Sequence, residues 1–281
     1  MRPLTAILLV GASCFAQAPA VPPKLEGVVR HQYKQTASRP LYLYSLSPAK
    51  TDSPRPAIVF FFGGGWKGGT TDQFADQARH LTARGMVSVL VDYRVTSRDQ
   101  STPFDSVRDA RSSMRWVRAH AAELHIDPSK IVASGGSAGG HLAAATAILN
   151  GVDDPADDLQ VSPAPAALVL FNPVLDTTET GYGAGTIGKN AIDLSLTHHI
   201  KAGLPPIILF HGTADHTVPF ANAEEFTRRV KAAGGDCRLV PFEGADHGFF
   251  NSPGFSKRAS ATLYENVMRD VDLFLTRLGF E

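Results

Sequence analysis

Cysteine is scarce in this chain: 281 residues contain only Cys14 and Cys237. That excludes a disulfide framework and a Cys-rich metal site. Cys237, alone once a leader is removed, reads as a small buried hydrophobe on a strand, with no catalytic role. An excess of charge is also missing, since 27 Lys and Arg face 27 Asp and Glu. No basic groove for nucleic acid and no polybasic membrane patch follows from such a balance. The N-terminal apolar run LTAILLVGASCF (4–15) is too short to stay in a bilayer as an anchor. Metal-ligand spacing is absent as well: there is no H-E-x-x-H, and His198 and His199 are adjacent. Lys67-Gly68-Gly69-Thr70 is no phosphate-binding loop, because its Lys does not directly precede Ser or Thr. We therefore expect neither metal nor cofactor.

Arg2, the apolar run and the small-residue sites Cys14-x-Ala16 and Ala18-x-Ala20 form the pattern of a secretory signal peptide, residues 1–20. The expected mature protein is secreted or periplasmic, residues 21–281, with no stable membrane insertion after cleavage. Its length suits one large α/β domain with an ample core.

From residue 57 the chain repeats apolar strand, loop and amphipathic helix. The strands are 57–62, 87–92, 130–134, 166–171, 206–211 and 236–242, with LYLYSL (41–46) and the stretch from Val28 to Tyr33 as an antiparallel entry. Continuous apolar runs suit a parallel sheet covered on both faces. Phe104, Val107, Ala110, Met114 and Val117 share one helix face, as do Phe220, Ala223, Phe226 and Val230, and Leu263, Val267, Val271, Phe274 and Leu278. The alternation predicts a doubly wound sheet of about eight strands, mostly parallel, whose chemistry lies at the strand carboxyl ends.

Three such ends carry reactive residues. Strand 130–134 runs into Gly135-Gly136-Ser137-Ala138-Gly139-Gly140 and an Ala-rich helix. This is G-x-S-x-G in its strand–turn–helix setting, where a tight turn projects the serine hydroxyl above the sheet. A Cβ at Gly135 or Gly139 would collide with the neighbouring strand and helix. A serine hydroxyl needs a base, and His247 in Glu243-Gly244-Ala245-Asp246-His247-Gly248-Phe249 is placed to serve. The imidazole needs a carboxylate; Asp215, in His211-Gly212-Thr213-Ala214-Asp215, ranks above Asp246 and Asp176. His141, one helical turn after Ser137, is a packed or half-exposed helix residue, or a minor alternative base. Strand 57–62 ends in Gly63-Gly64-Gly65-Trp66; the amides of Gly64 and Gly65, with that of Ala138, are the oxyanion-hole candidates. Trp66 either packs under this loop, which we favour, or stacks on a sugar ring.

FFFGGGW (60–66), VDYR (91–94), GGSAGG (135–140), HGTADHTVP (211–219) and GADHGF (244–249) together resemble the esterase/lipase superfamily. The likeness is to hormone-sensitive-lipase-like esterases and small secreted carbohydrate esterases that remove acetyl or feruloyl groups. The resemblance implies the α/β-hydrolase fold and metal-free hydrolysis of short-chain small-molecule or oligosaccharide esters through an acyl-enzyme. One position departs: the glycine motif of the family is preceded by His, and Phe62 stands there, unable to steady the loop by a hydrogen bond. The segment before strand 57–62 looks extended, so little or no cap is expected. An amidase, formamidase or peptidase could use the same residues, and a non-catalytic hydrolase-fold binding protein is a further alternative. Gly63-x-Gly65-x-x-Gly68 with Asp92 also fits a dinucleotide fingerprint, a reading that leaves the Ser–Asp–His order unexplained.

Overall fold

Apolar side chains alternate along the central strands so that successive residues enter opposite layers, and this sorts the molecule into two cores around one sheet. In the computed structural model, which describes residues 22–49 and 53–280, the eight strands are β1 (Val29–Gln35), β2 (Pro40–Leu46), β3 (Arg55–Phe61), β4 (Val87–Val91), β5 (Ile126–Gly136), β6 (Ala167–Phe171), β7 (Ile207–Gly212) and β8 (Cys237–Phe242). The expected signal peptide lies outside the described residues. The sheet order is β1-β2-β4-β3-β5-β6-β7-β8. β2 is antiparallel to β1 and β4, and every pairing from β4 to β8 is parallel.

The helices are α1 (Ala75–Ala83), α2 (Thr96–Asp99), α3 (Pro103–Ala119), α4 (Ala138–Ile148), α5 (Ala184–Ile187), α6 (Ala191–Leu194), α7 (Phe220–Ala232) and α8 (Ala261–Arg277). On β3, Ala57, Val59 and Phe61 join Val107, Met114, Leu142 and Phe226 of α3, α4 and α7 in one core. Ile58 and Phe60 point the other way, to Ala78 and Leu81 of α1 and Val271 and Phe274 of α8. Helices therefore cover both faces, which is why the strands could afford so few polar residues. α3 starts with the Thr102 amide and hydroxyl both donating to Asp105 Oδ2 and with Pro103 in the first turn.

Two local features differ from the sequence reading. β5 begins at Ile126 rather than at 130: Arg55 pairs with Ile126 and Ala57 with Ile131, so the intervening residues bulge out of register. Residues 176–204, to which the sequence reading assigns no element, hold α5, α6 and two 3₁₀ turns. Leu194 and Leu196 of this segment are fully buried, which makes it a small cover at one side of the sheet's carboxyl edge.

Candidate active site

Strand register brings the reactive loops together. Phe61 of β3 pairs with Gly135 of β5, so the glycine loop leaves the sheet beside the turn that carries Ser137. Gly212 of β7 pairs with Phe242 of β8, and the two following loops stay joined by the Ala214 amide donating to the Ala245 carbonyl at 3.1 Å. Asp215 and His247 ride on those loops.

Ser137 has φ 55° and ψ −124°, a conformation a non-glycine residue adopts only under constraint. The constraint is close packing. A Cβ on Gly139 would lie 2.0 Å from the Phe61 carbonyl oxygen, and one on Gly135 would lie 2.4 Å from Gly139. Gly139→Ala therefore should lower the urea midpoint of unfolding by the equivalent of about 3 kcal/mol, the upper range for forcing a methyl into a packed site; an unchanged midpoint would show that the elbow can shift.

His247 Nδ1 lies 2.7 Å from Asp215 Oδ2, and His247 Nε2 lies 3.0 Å from Ser137 Oγ. The carboxylate only accepts, so Nδ1 carries the proton and Nε2 is free to accept from the serine hydroxyl. Asp215 is buried. Burial alone would raise its carboxyl pKa, but hydrogen bonds from His211, His247 and the Val218 amide prevail and hold it well below the usual carboxylate range. Its Oδ1 accepts from the amides of Thr217 and Val218 at 2.8 and 2.9 Å.

The competing acids are engaged elsewhere. Asp246 accepts from the backbone amides of His247 and His216 and does not meet the ring. Asp176 accepts from Thr178, Thr180 and Ser195 within the covering segment. His141 is fully buried; its Nε2 donates to the Leu194 carbonyl at 2.8 Å, and burial lowers its pKa to about 4. It is a packed helix residue, out of reach as a base. Asp92 lies in a buried ion pair with Arg39 and is bonded by Arg98, so no ribose hydroxyl has access to it. Trp66 is fully buried against His141 and Tyr182, which leaves packing, not sugar stacking, as its role. Cys237 is buried and free, with burial raising its pKa to about 11.

Among the described residues, the amides of Gly64, Gly65 and Ala138 donate to no protein acceptor, whereas the Gly63 amide donates to Gln73 Oε1 at 2.6 Å. Gly64 and Gly65 take φ of 125° and 61°, and a Cβ on Gly64 would lie 2.2 Å from the Gly68 carbonyl oxygen. Phe62 replaces a hydrogen-bonding anchor by stacking on Tyr93, ring centroids 4.1 Å apart; the Tyr93 hydroxyl donates to the Phe62 carbonyl at 2.6 Å. The loop is thus steadied from the strand side despite the departure at Phe62.

One residue near the imidazole escaped the sequence reading. The Asn172 amide nitrogen lies 3.2 and 3.3 Å from the two ring nitrogens of His247, and Asn172 is fully buried with φ 33°. Asn-Pro after a strand reads only as a turn, so no signal marked it. A cavity of about 240 Å³ opens over Ser137, lined by Gly64, Gln73, Tyr182, Thr217, Phe250 and Asn251 among others.

Esterase 2 of Thermogutta terrifontis is 47% identical, with a TM-score of 0.87 over 92% of this chain and 97% of that one. The chain belongs to the α/β-hydrolase esterase/lipase superfamily. This hydrolase matches a family model described as BD-FAE over residues 43–179 and the dienelactone hydrolase family over 166–276. It is 27% identical to a probable isoprenylcysteine alpha-carbonyl methylesterase of Arabidopsis thaliana, over 71% of this chain and 47% of that protein. With carboxylesterase NlhH of Mycobacterium tuberculosis it shares 29% identity over 70% of this chain and 67% of that one. The chain spans about half the length of the methylesterase relatives it matches. These relatives are named as ester hydrolases, and 47% identity to an esterase over 97% of its length supports a carboxylic ester hydrolase. Among the described residues, no helix is long and apolar enough to cross a membrane.

Proposed function

We propose that this chain is a secreted serine carboxylesterase acting on short acyl esters, with Ser137 as nucleophile, His247 as base and Asp215 as the acid that orients it. The observation that carries this reading is the continuous hydrogen-bonded row from Asp215 through His247 to Ser137, with distances of 2.7 and 3.0 Å, at the floor of one cavity. Ser137 Oγ attacks the acyl carbonyl as Nε2 takes its proton. The oxyanion that forms is met by the amides of Gly64, Gly65 and Ala138, the last reinforced by the N-terminal field of α4. The imidazolium, stabilised by Asp215, protonates the departing alkoxide. The same nitrogen then activates water against the acyl-enzyme, and Ser137 is regenerated with release of the acid.

Acyl length is read from the cavity. A volume of about 240 Å³ lies below the usual range for drug-sized ligands and suits an acyl group of a few carbons. Structures of the Thermogutta esterase include one with propionate bound and one with butyrate bound, which supports the same range here. Of the covering segment 176–204, Tyr182 lines the cavity; with a leader expected at residues 1–20, acetylated polysaccharide fragments are the esters we propose.

Hydrolysis of p-nitrophenyl esters from C2 to C12 tests the proposal. We expect kcat/KM to peak at C2 to C4 and to fall at least about tenfold by C8, because a longer chain overfills the cavity at a cost of about 1 to 3 kcal/mol. Acetate release from acetylated xylan or pectin checks the alcohol side. Absence of turnover at any chain length would redirect the assignment to an amidase or to a binding protein.

A further inference from the structure

The proposed oxyanion loop and the loop bearing His247 leave different strands, yet catalysis requires them to hold a fixed separation across Ser137. A chain of side-chain amides joins them. The Gly63 amide donates to Gln73 Oε1 at 2.6 Å. Gln73 Nε2 donates to Asn251 Oδ1 at 3.0 Å, and Asn251 Nδ2 donates to the Gly248 carbonyl at 2.9 Å. Both ends fix the polarity of this relay, because an amide N–H can only donate and a carbonyl can only accept. Neither Gln73 nor Asn251 can turn its amide over without setting like groups against each other.

The relay starts one residue before Gly64 and ends one residue after His247. A Cβ on Gly63 would lie 3.3 Å from Ser137 Cβ, so the first bond is made directly beside the nucleophile. Neighbouring residues of the Gln73 segment grip the same far loop: Asp76 accepts from Ser252 Oγ at 2.5 Å, and Gln77 Nε2 donates to the Phe250 carbonyl at 3.3 Å. Gln73 is the member of that group that also reaches the glycine loop. Gln73 and Asn251 both line the cavity.

We infer that Gln73 and Asn251 are positioning residues that set the distance between the oxyanion amides and the His247 imidazole, a function that rests on the reaction proposed above. Displacing donors by a fraction of an ångström weakens their hold on the oxyanion while leaving the ground-state carbonyl almost unaffected. The loss therefore falls on kcat.

The test is steady-state kinetics on p-nitrophenyl acetate with Gln73→Met, which keeps length and volume but neither hydrogen bond, Asn251→Ala, and the double variant. Expected are losses of about 10- to 100-fold in kcat, KM within about threefold, and a matching loss of affinity for a trifluoromethyl ketone that forms a tetrahedral adduct, with butyrate inhibition unchanged. The double variant should be no worse than about twofold below the poorer single one, since one broken link opens the whole relay. Gln73→Met at wild-type kcat, a loss confined to KM, or multiplicative losses in the double variant would overturn the inference while the esterase reading stands. Wild-type protein inert on every ester overturns both. Should Gln73→Met fail to fold, the same readouts on Asn251→Ala decide the matter.

Discussion

Ser137→Ala lowers kcat on a C2 or C3 p-nitrophenyl ester by about 10⁶-fold, the loss expected when nucleophile and base act as one unit. KM stays within a few-fold, because the cavity and the amides of Gly64, Gly65 and Ala138 remain. Stability should barely change: alanine takes on the same positive φ that Ser137 already bears at 55°, and only a hydroxyl is removed. Paraoxon, whose phosphorus is open to attack by an activated serine with loss of p-nitrophenolate, should add one diethylphosphoryl group to this chain, read by intact mass and located on the peptide containing Ser137, with no adduct on the alanine variant. Activity retained by Ser137→Ala, or an adduct elsewhere, would remove Ser137 from its role.

Asp215→Asn should be the second largest effect, about 10⁴-fold in kcat by analogy with removing the acid of a serine-protease triad. An asparagine amide can donate to Nδ1, which moves the imidazole proton to Nε2 and leaves no lone pair to accept the serine hydroxyl. Asp246→Asn should cost less than about threefold. Among the described residues, Asp246 accepts only from the backbone amides of His247 and His216, and an asparagine carbonyl accepts those equally well. The reversed ranking of the two variants would identify Asp246 as the working acid.

Asp215 should also be visible in the pH dependence of stability. The folded-state pKa of Asp215 is depressed, so its ionised form contributes stability that is present above the unfolded value of about 3.9. That contribution is lost as pH falls from there toward the folded value. The stability gap between wild type and Asp215→Asn, measured by urea titration, should therefore be wide at pH 7 and narrow on acidification below about pH 4. A gap that does not change with pH would mean that the carboxylate is not held by the hydrogen bonds it accepts.

Much of this was legible in the sequence because the relevant signals are local. β4, β6 and β7 are buried along their whole length, and two-sided burial leaves an unbroken apolar run in the chain. The serine turn is legible because G-x-S-x-G is a local spacing between a strand and a helix, although its glycines also answer distant neighbours, as Gly139 does the Phe61 carbonyl. The bulge in β5 was not legible, since it depends on where Arg55 pairs across the sheet. Nor was the covering segment 176–204: its short helices are held by burial of Leu194 and Leu196, not by a helical period long enough to recognise.

By itself the sequence determined the strand–helix alternation, the face each helix buries, the elbow around Ser137 and the chain order of Ser137, Asp215 and His247, because periodicity and turn chemistry act between near neighbours. Only the tertiary structure set Asp215, rather than Asp246 or Asp176, against the His247 ring, buried Trp66 and His141, set Asn172 beside the imidazole, and linked Gly63 to Gly248 through Gln73 and Asn251. Those partners lie far apart along the chain, Gln73 and Asn251 by 178 positions, and a hydrogen bond across such a separation leaves no pattern in composition or spacing; it exists only once parallel strand register has brought the loops to one edge of the sheet.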